Sequence, residues 1–168
     1  MTRESLSKVF VFHWKPAEAA PLLAALQKAG YQPVYNPQPK PPKLSDIEKA
    51  KALAVVIDLS RLPSHGRYVA AWLRGGKRTR HLPIVFVDGE PAKIDLVRRH
   101  IPDAAYTPLK SLGAALKKAM RNAPRDPLVP RGMMESAPGR TTAQKLGIRA
   151  GHVVRVIDSP PDYEQVVG

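Results

Sequence analysis

Runs of apolar residues divide the first 121 residues into alternating strands and helices. Three runs are continuous rather than alternating: Lys8–Trp14 (KVFVFHW), Ala52–Leu59 (ALAVVIDL) and Leu82–Val87 (LPIVFV). A continuous apolar run is typical of a strand buried on both faces of a parallel sheet. Two shorter strands are predicted at Tyr31–Asn36 and Ala104–Thr107. Pro33 has no N–H to donate, so its strand is expected at an edge of the sheet.

Apolar residues at helical spacing predict five helices between these strands. The first begins at Pro16 or beyond Pro21 and ends at Gly30. The other four are Ser45–Lys51, Ser64–Arg74, Pro91–Ile101 and Leu112–Arg121. Ser45, with Glu48 three residues later, has the spacing of a capping box. Strands that alternate with helices predict a doubly wound α/β sandwich with a parallel sheet covered on both faces.

Beyond residue 121 the pattern changes, and three segments are predicted. Residues 1–121 form the α/β domain, residues 122–140 a linker rich in proline and glycine, and residues 141–168 a short helix–strand segment. In the last segment a helical turn ends at Gly147, and a strand is predicted over His152–Ile157. This segment is too small to fold alone. We expect it to dock on the α/β domain or on a second copy of the chain.

Composition narrows the chemistry and the setting. The chain has no cysteine, which excludes disulfides, thiolate metal ligands and cysteine nucleophiles. No apolar run approaches the roughly 20 residues that span a bilayer, and the N-terminus has no apolar signal core. We therefore expect a cytoplasmic protein without a membrane partner.

Positive charge is in excess and is concentrated before the third buried strand. Lys and Arg number 27 against 14 Asp and Glu, a formal net charge of +13. Such an excess favours contact with nucleic acid, anionic lipid or an acidic protein. The densest run supplies a candidate anion-binding patch: Arg74, Lys77, Arg78 and Arg80. The sequence has neither a helix-turn-helix nor a zinc-finger signature, so any nucleic-acid contact is expected to be to phosphates.

The segment Ile57–Gly66 (IDLSRLPSHG) carries a family resemblance. An aspartate ends a buried strand, a proline follows, and Gly66 stands eight residues after Asp58. Together with the strand pattern, this resembles the receiver domain of response regulators over about residues 8–121. The resemblance implies a flavodoxin-like three-layer sandwich with a five-stranded parallel sheet of order 2-1-3-4-5. It also implies that Asp58 occupies the phosphoacceptor position.

Three other positions of the receiver site are changed. Receivers hold Mg²⁺ on an acidic pair after the first strand, where this chain has His13 and Trp14. Asp88 stands where the fourth strand normally ends in Ser or Thr, and Thr107 where the fifth strand normally ends in Lys. The resemblance therefore implies a pseudo-active pocket, with Asp58 a vestigial phosphoacceptor that caps the following turn.

The C-terminal segment carries a second, shorter resemblance. The string Ala143–Ile148 (AQKLGI), with Gly151 and then Pro161–Tyr163, resembles a family of small uncharacterised bacterial proteins in which a KLGI-x-x-G turn precedes a valine-rich strand. It covers about 28 residues and implies no chemistry.

These observations lead to three functional hypotheses. The first is a non-catalytic regulatory module of bacterial two-component signalling, a pseudo-receiver that needs no cofactor and contacts a protein partner. The second is a basic nucleic-acid-associated protein that contacts phosphates through Arg74–Arg80. The third, a hydrolytic or metal site built from His13, Asp58 and Asp88 at the strand ends, has no supporting motif.

Overall fold

The computed structural model describes residues 7–37, 42–130, 143 and 147–155. The chain separates into two compact units, Met1–Pro130 and Arg131–Gly168. The first unit therefore includes the start of the predicted linker, where Pro124 O lies 3.3 Å from His81 Nδ1. Among the described residues no helix is both long and apolar enough to cross a bilayer.

Five parallel strands form the sheet of the first unit. They are β1 (Lys8–Phe12), β2 (Gln32–Tyr35), β3 (Ala54–Asp58), β4 (Ile84–Val87) and β5 (Ala105–Thr107). Their order is β2-β1-β3-β4-β5, which confirms the predicted sheet. β2 lies at the edge, as the missing N–H of Pro33 predicted.

Four helices connect the strands, and a fifth follows β5. They are α1 (Ala20–Lys28), α2 (Leu44–Ala50), α3 (Pro63–Gly75), α4 (Pro91–His100) and α5 (Leu112–Arg121). Short 3-10 turns precede α1 and α5, at Pro16–Glu18 and Leu109–Ser111. Prolines stand in the first turn of α1, α3 and α4, where the missing N–H removes no helical hydrogen bond.

Alternate residues of each strand face two separate cores. One face of β1, with Val9 and Val11, packs with Leu22 and Leu26 of α1 and with α5. The other face, with Phe10 and Phe12 of β1, packs with α2, α3 and α4. The sheet is thus the middle layer of three, and the predicted doubly wound sandwich is confirmed.

Two local predictions are wrong. The cap of α2 is Lys43 rather than Ser45, and Asp46 accepts a hydrogen bond from the Lys43 N–H at 2.8 Å. A carboxylate in the first turn is favoured there by the unpaired N–H groups, so the helix begins one residue earlier than the Ser45 pattern predicted.

In the tail, residues 152–155 form no strand, and 156–157 lie outside the described residues. No partner strand is paired with residues 152–155 in the described part of the chain.

The second unit is described over residues 143 and 147–155. Ile148 N–H donates to Ala143 O at 2.9 Å, and Gly147 and Gly151 have φ of 76° and 85°. These are left-handed conformations that favour glycine. The predicted stop at Gly147 is therefore a glycine-dependent turn. The remainder of the predicted 141–168 segment lies outside the described residues.

Gly66 lets α3 approach β3 closely. A Cβ at this position would lie 2.5 Å from Leu59 Cδ2 and 3.2 Å from Ile57 Cγ2, both of them buried. We expect Gly66→Ala to lower the free energy of unfolding by about 1–3 kcal/mol through overpacking. Urea unfolding of the variant and of the unsubstituted chain measures this change in the free energy of unfolding.

The matched control is Gly75→Ala at the other end of α3, where a Cβ would meet nothing within 4 Å. This variant is expected to be neutral or more stable by up to about 1 kcal/mol, since alanine favours helix. Equal destabilisation by the two substitutions would contradict the close approach at Gly66.

Candidate functional site

The carboxyl edge of the sheet places Asp58 in a closed hydrogen-bond arrangement. Asp58 is the last residue of β3 and is 5% exposed. Its Oδ1 accepts hydrogen bonds from both the N–H (3.0 Å) and the hydroxyl of Ser60. A carboxylate that accepts from the N–H two residues ahead forms an Asx turn. Asp58 therefore has the geometry of the predicted turn cap.

His13 is the second side chain at this position. Its Nε2 lies 3.8 Å from Asp58 Oδ1, and its side chain is 5% exposed. Its Nδ1 accepts from the N–H of Lys15 at 3.2 Å. With Nδ1 as an acceptor, a neutral imidazole carries its proton on Nε2. The structure thus brings two of the predicted pocket residues together, at an Nε2–Oδ1 distance longer than a hydrogen bond.

Trp14 belongs to a different neighbourhood. Its ring lies 6.3 Å from the ring of Phe12 and 5.5 Å from that of His65, between ring centroids. Its Nε1 is buried and has no hydrogen-bond partner among the described residues. Trp14 therefore contributes to the aromatic packing beside α3 and has no contact with Asp58 in the described part of the chain.

Asp88 and Thr107 form a separate pair at the ends of β4 and β5. Asp88 has a φ of 55°, its N–H donates to Thr107 O at 3.0 Å, and its Oδ1 accepts from the N–H of Leu109 at 2.9 Å. The Thr107 hydroxyl donates to Pro108 O at 3.2 Å. The Asp88 carboxylate thus caps the 3-10 turn Leu109–Ser111. Neither side chain is hydrogen-bonded or ion-paired to Asp58 within the described residues.

A carboxylate that sequence reasoning overlooked lies in the loop after β1. Glu18 accepts two hydrogen bonds from Arg61, at 2.6 and 2.7 Å, and one from Lys15 at 2.6 Å. These cations lower the pKa of Glu18 from 4.5 to about 2, Arg61 having the larger effect. Little in the sequence indicated this ion pair, because Arg61 is 43 residues from Glu18 along the chain. The two side chains meet only because the chain crosses from β1 to β3 in the fold.

The receiver fold implies Mg²⁺ beside the phosphoacceptor, and these residues do not fit that ion. No group of three His, Asp or Glu side chains that could hold a metal occurs in the described residues. Glu18 is bound to two cations, and Asp88 accepts from Leu109. Mg²⁺ prefers carboxylate oxygens and waters in an octahedron. After β1, where receivers have the acidic pair that binds Mg²⁺, this chain has His13, which offers a nitrogen instead of a carboxylate oxygen.

The predicted anion-binding patch requires a correction. Arg74 is fully buried: its Nη1 donates to Arg80 O at 2.6 Å and Leu82 O at 2.8 Å, and its Nε lies 3.0 Å from Asp103 Oδ2. It therefore binds the loop before β4 to α3 and cannot meet an anion. Lys77 and Arg78 are exposed, with Arg78 paired to Glu48 at 3.2 Å, and Arg80 is half-buried.

Arg74 should matter for stability rather than for binding. Arg74→Met is expected to lower the free energy of unfolding by about 2–3 kcal/mol, because two carbonyls and Asp103 lose their partner. Chemical denaturation measures the change. Arg78→Met is the control, and its effect should stay within about 0.5 kcal/mol because the Arg78 side chain is 81% exposed. Similar losses in the two variants would contradict a structural role for Arg74.

Comparison with solved structures places this architecture among receiver domains. A sensor protein from Polaromonas sp. JS666 superposes with a TM-score of 0.54 at 22% identity, covering 69% of this chain and 97% of its own. The chemotaxis protein CheY4 of Vibrio cholerae gives 0.52 at 17% identity, with 71% and 100% covered. The receiver domain of a histidine kinase from Syntrophus aciditrophicus gives 0.51 at 15% identity, with 75% and 98% covered.

These likenesses define the class of the fold. The first unit is a flavodoxin-like α/β sandwich with the strand order predicted from the sequence. Within that class it has the fold of response-regulator receiver domains. No protein-family profile matches the chain, and no curated protein matches it.

Proposed function

We propose that the α/β domain is a non-catalytic regulatory module of signal transduction that acts through protein contacts and is not switched by phosphorylation of Asp58. The observation that carries the proposal is the environment of Asp58. Its Oδ1 already accepts two hydrogen bonds from Ser60, and His13 lies 3.8 Å away. Charge at a phosphorylated aspartate would need a cation and a hydroxyl or ammonium donor nearby. In this chain His13 and Trp14 stand at the positions of the acidic pair that holds the cation in receivers. Asp88 stands at the position of the hydroxyl donor and accepts from the Leu109 N–H. Thr107 stands at the position of the ammonium donor, and its hydroxyl donates to Pro108 O.

A protein-contact surface is available on α4, β5 and α5. Tyr106 of β5 stacks on Phe86 with ring centroids 5.0 Å apart, and its hydroxyl donates to Ile101 O at 2.9 Å. Arg98 lies over the same ring at 4.7 Å. Leu96 of α4 and Lys117 of α5, the helices that precede and follow β5 in the chain, have exposed side chains. A small apolar centre with a charged rim suits a modest protein interface.

Beryllofluoride with Mg²⁺, which mimics an aspartyl phosphate, tests the proposal. We expect the ¹H–¹⁵N spectrum of the full chain to remain unchanged at Asp58, Ser60 and Thr107, because the described residues around Asp58 include no Mg²⁺ ligand set. Asp58→Asn serves as the matched control for non-specific salt effects. A saturable shift centred on Asp58 that disappears in Asp58→Asn would contradict the proposal.

A second candidate function, contact with nucleic-acid phosphates, is favoured by the charge of the α1/α5 layer. Neither α1 nor α5 contains an acidic residue. Five exposed cations lie on or beside these helices, and none is paired with a carboxylate of the described residues: Lys28, Lys110, Lys117, Lys118 and Arg121. The candidate surface therefore moves from Arg74–Arg80 to α5 and its surroundings.

A mobility-shift assay with random-sequence duplex DNA, repeated across salt concentrations, separates these surfaces. The combined variant Lys117→Ala, Lys118→Ala and Arg121→Ala should weaken binding and lower the salt slope by about 2–3, since each phosphate contact contributes about 0.9. The control is the double variant Lys77→Ala, Arg78→Ala. Its affinity for DNA and its salt slope should stay close to those of the unsubstituted chain. Absence of a shifted complex at low salt would exclude this candidate.

A further inference from the structure

A cavity of about 820 Å³ opens beside the carboxyl ends of β1 and β2, against the first half of α3. Its size lies within the roughly 300–1,000 Å³ of small-molecule sites, and sites of this kind are common at the carboxyl ends of open α/β sheets. Asp58 is not among the described residues that line it. His13 and Trp14 of the predicted pseudo-active pocket do line it, so the cavity adjoins that pocket on the side away from Asp58. The inference drawn from the cavity does not depend on the proposed function.

The short helix α2 explains why the cavity exists. α2 has seven residues, so it is only about 10 Å long. It packs toward the end of α3, where Leu44 lies close to Gly76 and Glu48 pairs with Arg78. Within residues 7–37 and 42–130, the beginning of α3 thus has no neighbouring helix on the side of β2, and the described side chains leave a cavity between α3, β1 and the end of β2.

The walls of this cavity concentrate the aromatic residues of the chain. The sequence holds three Phe, two Trp and five Tyr, and six of them, including both tryptophans, line the cavity: Phe10, Phe12, Trp14, Tyr35, Tyr68 and Trp72. The rings of Phe10, Phe12 and Trp14 follow one another at centroid distances of 5.3 and 6.3 Å. Side chains of this kind bind flat rings by offset stacking and edge contacts.

Charge is the second property that selects a ligand. No Asp, Glu, Lys or Arg occurs among the described lining residues, although the chain as a whole has a net charge of +13. A phosphate or carboxylate inside the cavity would lose water without gaining a cation. The polar side chains among the described lining residues include His13, Tyr35, Asn36, His65 and Tyr68, and of these His65 and Tyr68 are exposed. Both can donate or accept one hydrogen bond at the edge of a ring.

We propose that this cavity binds an uncharged, planar aromatic or heteroaromatic small molecule of two or three fused rings. The molecule stacks among Trp14, Tyr68 and Trp72 and presents its polar edge to His65. Stacking supplies the affinity, because the ring replaces water on large apolar surfaces, and the described lining residues offer no cation to an anionic relative of the same ring.

The two tryptophans provide a direct test in the full chain. Each molecule has two indole N–H signals in a ¹H–¹⁵N spectrum, and both report on the cavity. The probes are adenosine (two rings) and lumichrome (three rings), with AMP as the anionic counterpart of adenosine. We expect at least one neutral probe to shift both indole signals saturably at concentrations below about 1 mM. AMP should bind at least several-fold more weakly than adenosine.

Variants locate the binding. Val69→Phe, which fills the cavity from α3, and Tyr68→Ala, which removes a stacking ring that is 58% exposed, should each weaken binding about tenfold. Leu96→Phe on the exposed face of α4 is the control for the added aromatic ring and should leave affinity unchanged. Tyr68→Ala keeps the test decisive if Val69→Phe fails to fold.

Four results would overturn the proposal. The first is that neither neutral probe shifts the indole signals up to 5 mM. The second is that AMP binds as tightly as adenosine, and the third is that affinity is equal in Val69→Phe and the unsubstituted chain. The fourth is that a hexaproline peptide gives the variant-dependent shifts while the ring probes give none, which would assign the aromatic surface to proline-rich peptides.

Discussion

The burial of β3 on both faces is the constraint on which the rest of the structure depends. Every residue of this strand is buried, and it pairs in parallel with β1 on one side and β4 on the other. Parallel neighbours require a helical crossover between successive strands, so the helices must cover both faces. The same pairing brings the carboxyl ends of β1, β3 and β4 to one edge. The sheet therefore makes neighbours of His13, Asp58 and Asp88, and their proximity alone does not indicate a shared chemical role.

At that edge each carboxylate is used by local structure. Asp58 closes a turn with Ser60, Asp88 caps the turn after β5, and Glu18 holds two cations that lower its pKa to about 2. A carboxylate that accepts hydrogen bonds from fixed N–H groups is stabilised as an anion but is less available to a new ligand. The fold thus keeps the receiver arrangement of strands, while the side chains at the strand ends serve the loops.

The chain places its distinctive surfaces elsewhere. The shortness of α2 leaves an aromatic cavity whose described lining residues include no Asp, Glu, Lys or Arg. The other side of the sheet carries α1 and α5, neither of which contains an acidic residue. Exposed aromatic surface and unpaired charge both cost free energy in an isolated domain. Their separation onto different faces gives the domain two chemically distinct surfaces besides the one formed by α4, β5 and α5.

The sequence by itself determined the strands and the edge position of β2, because a buried strand needs a continuous apolar run and Pro33 cannot donate to a central one. The order of the strands came from the resemblance of the Ile57–Gly66 segment and the strand pattern to receiver domains. It also identified Asp58 as a turn residue beside His13. Only the tertiary structure decided the roles of long polar side chains. Arg74 is indistinguishable from Arg78 in the sequence, yet it is buried against Asp103, because the loop carbonyls beside it need a donor. The cavity was equally hidden, since its lining residues Tyr35 and Trp72 are 37 positions apart in the sequence and come to one cavity only through the fold.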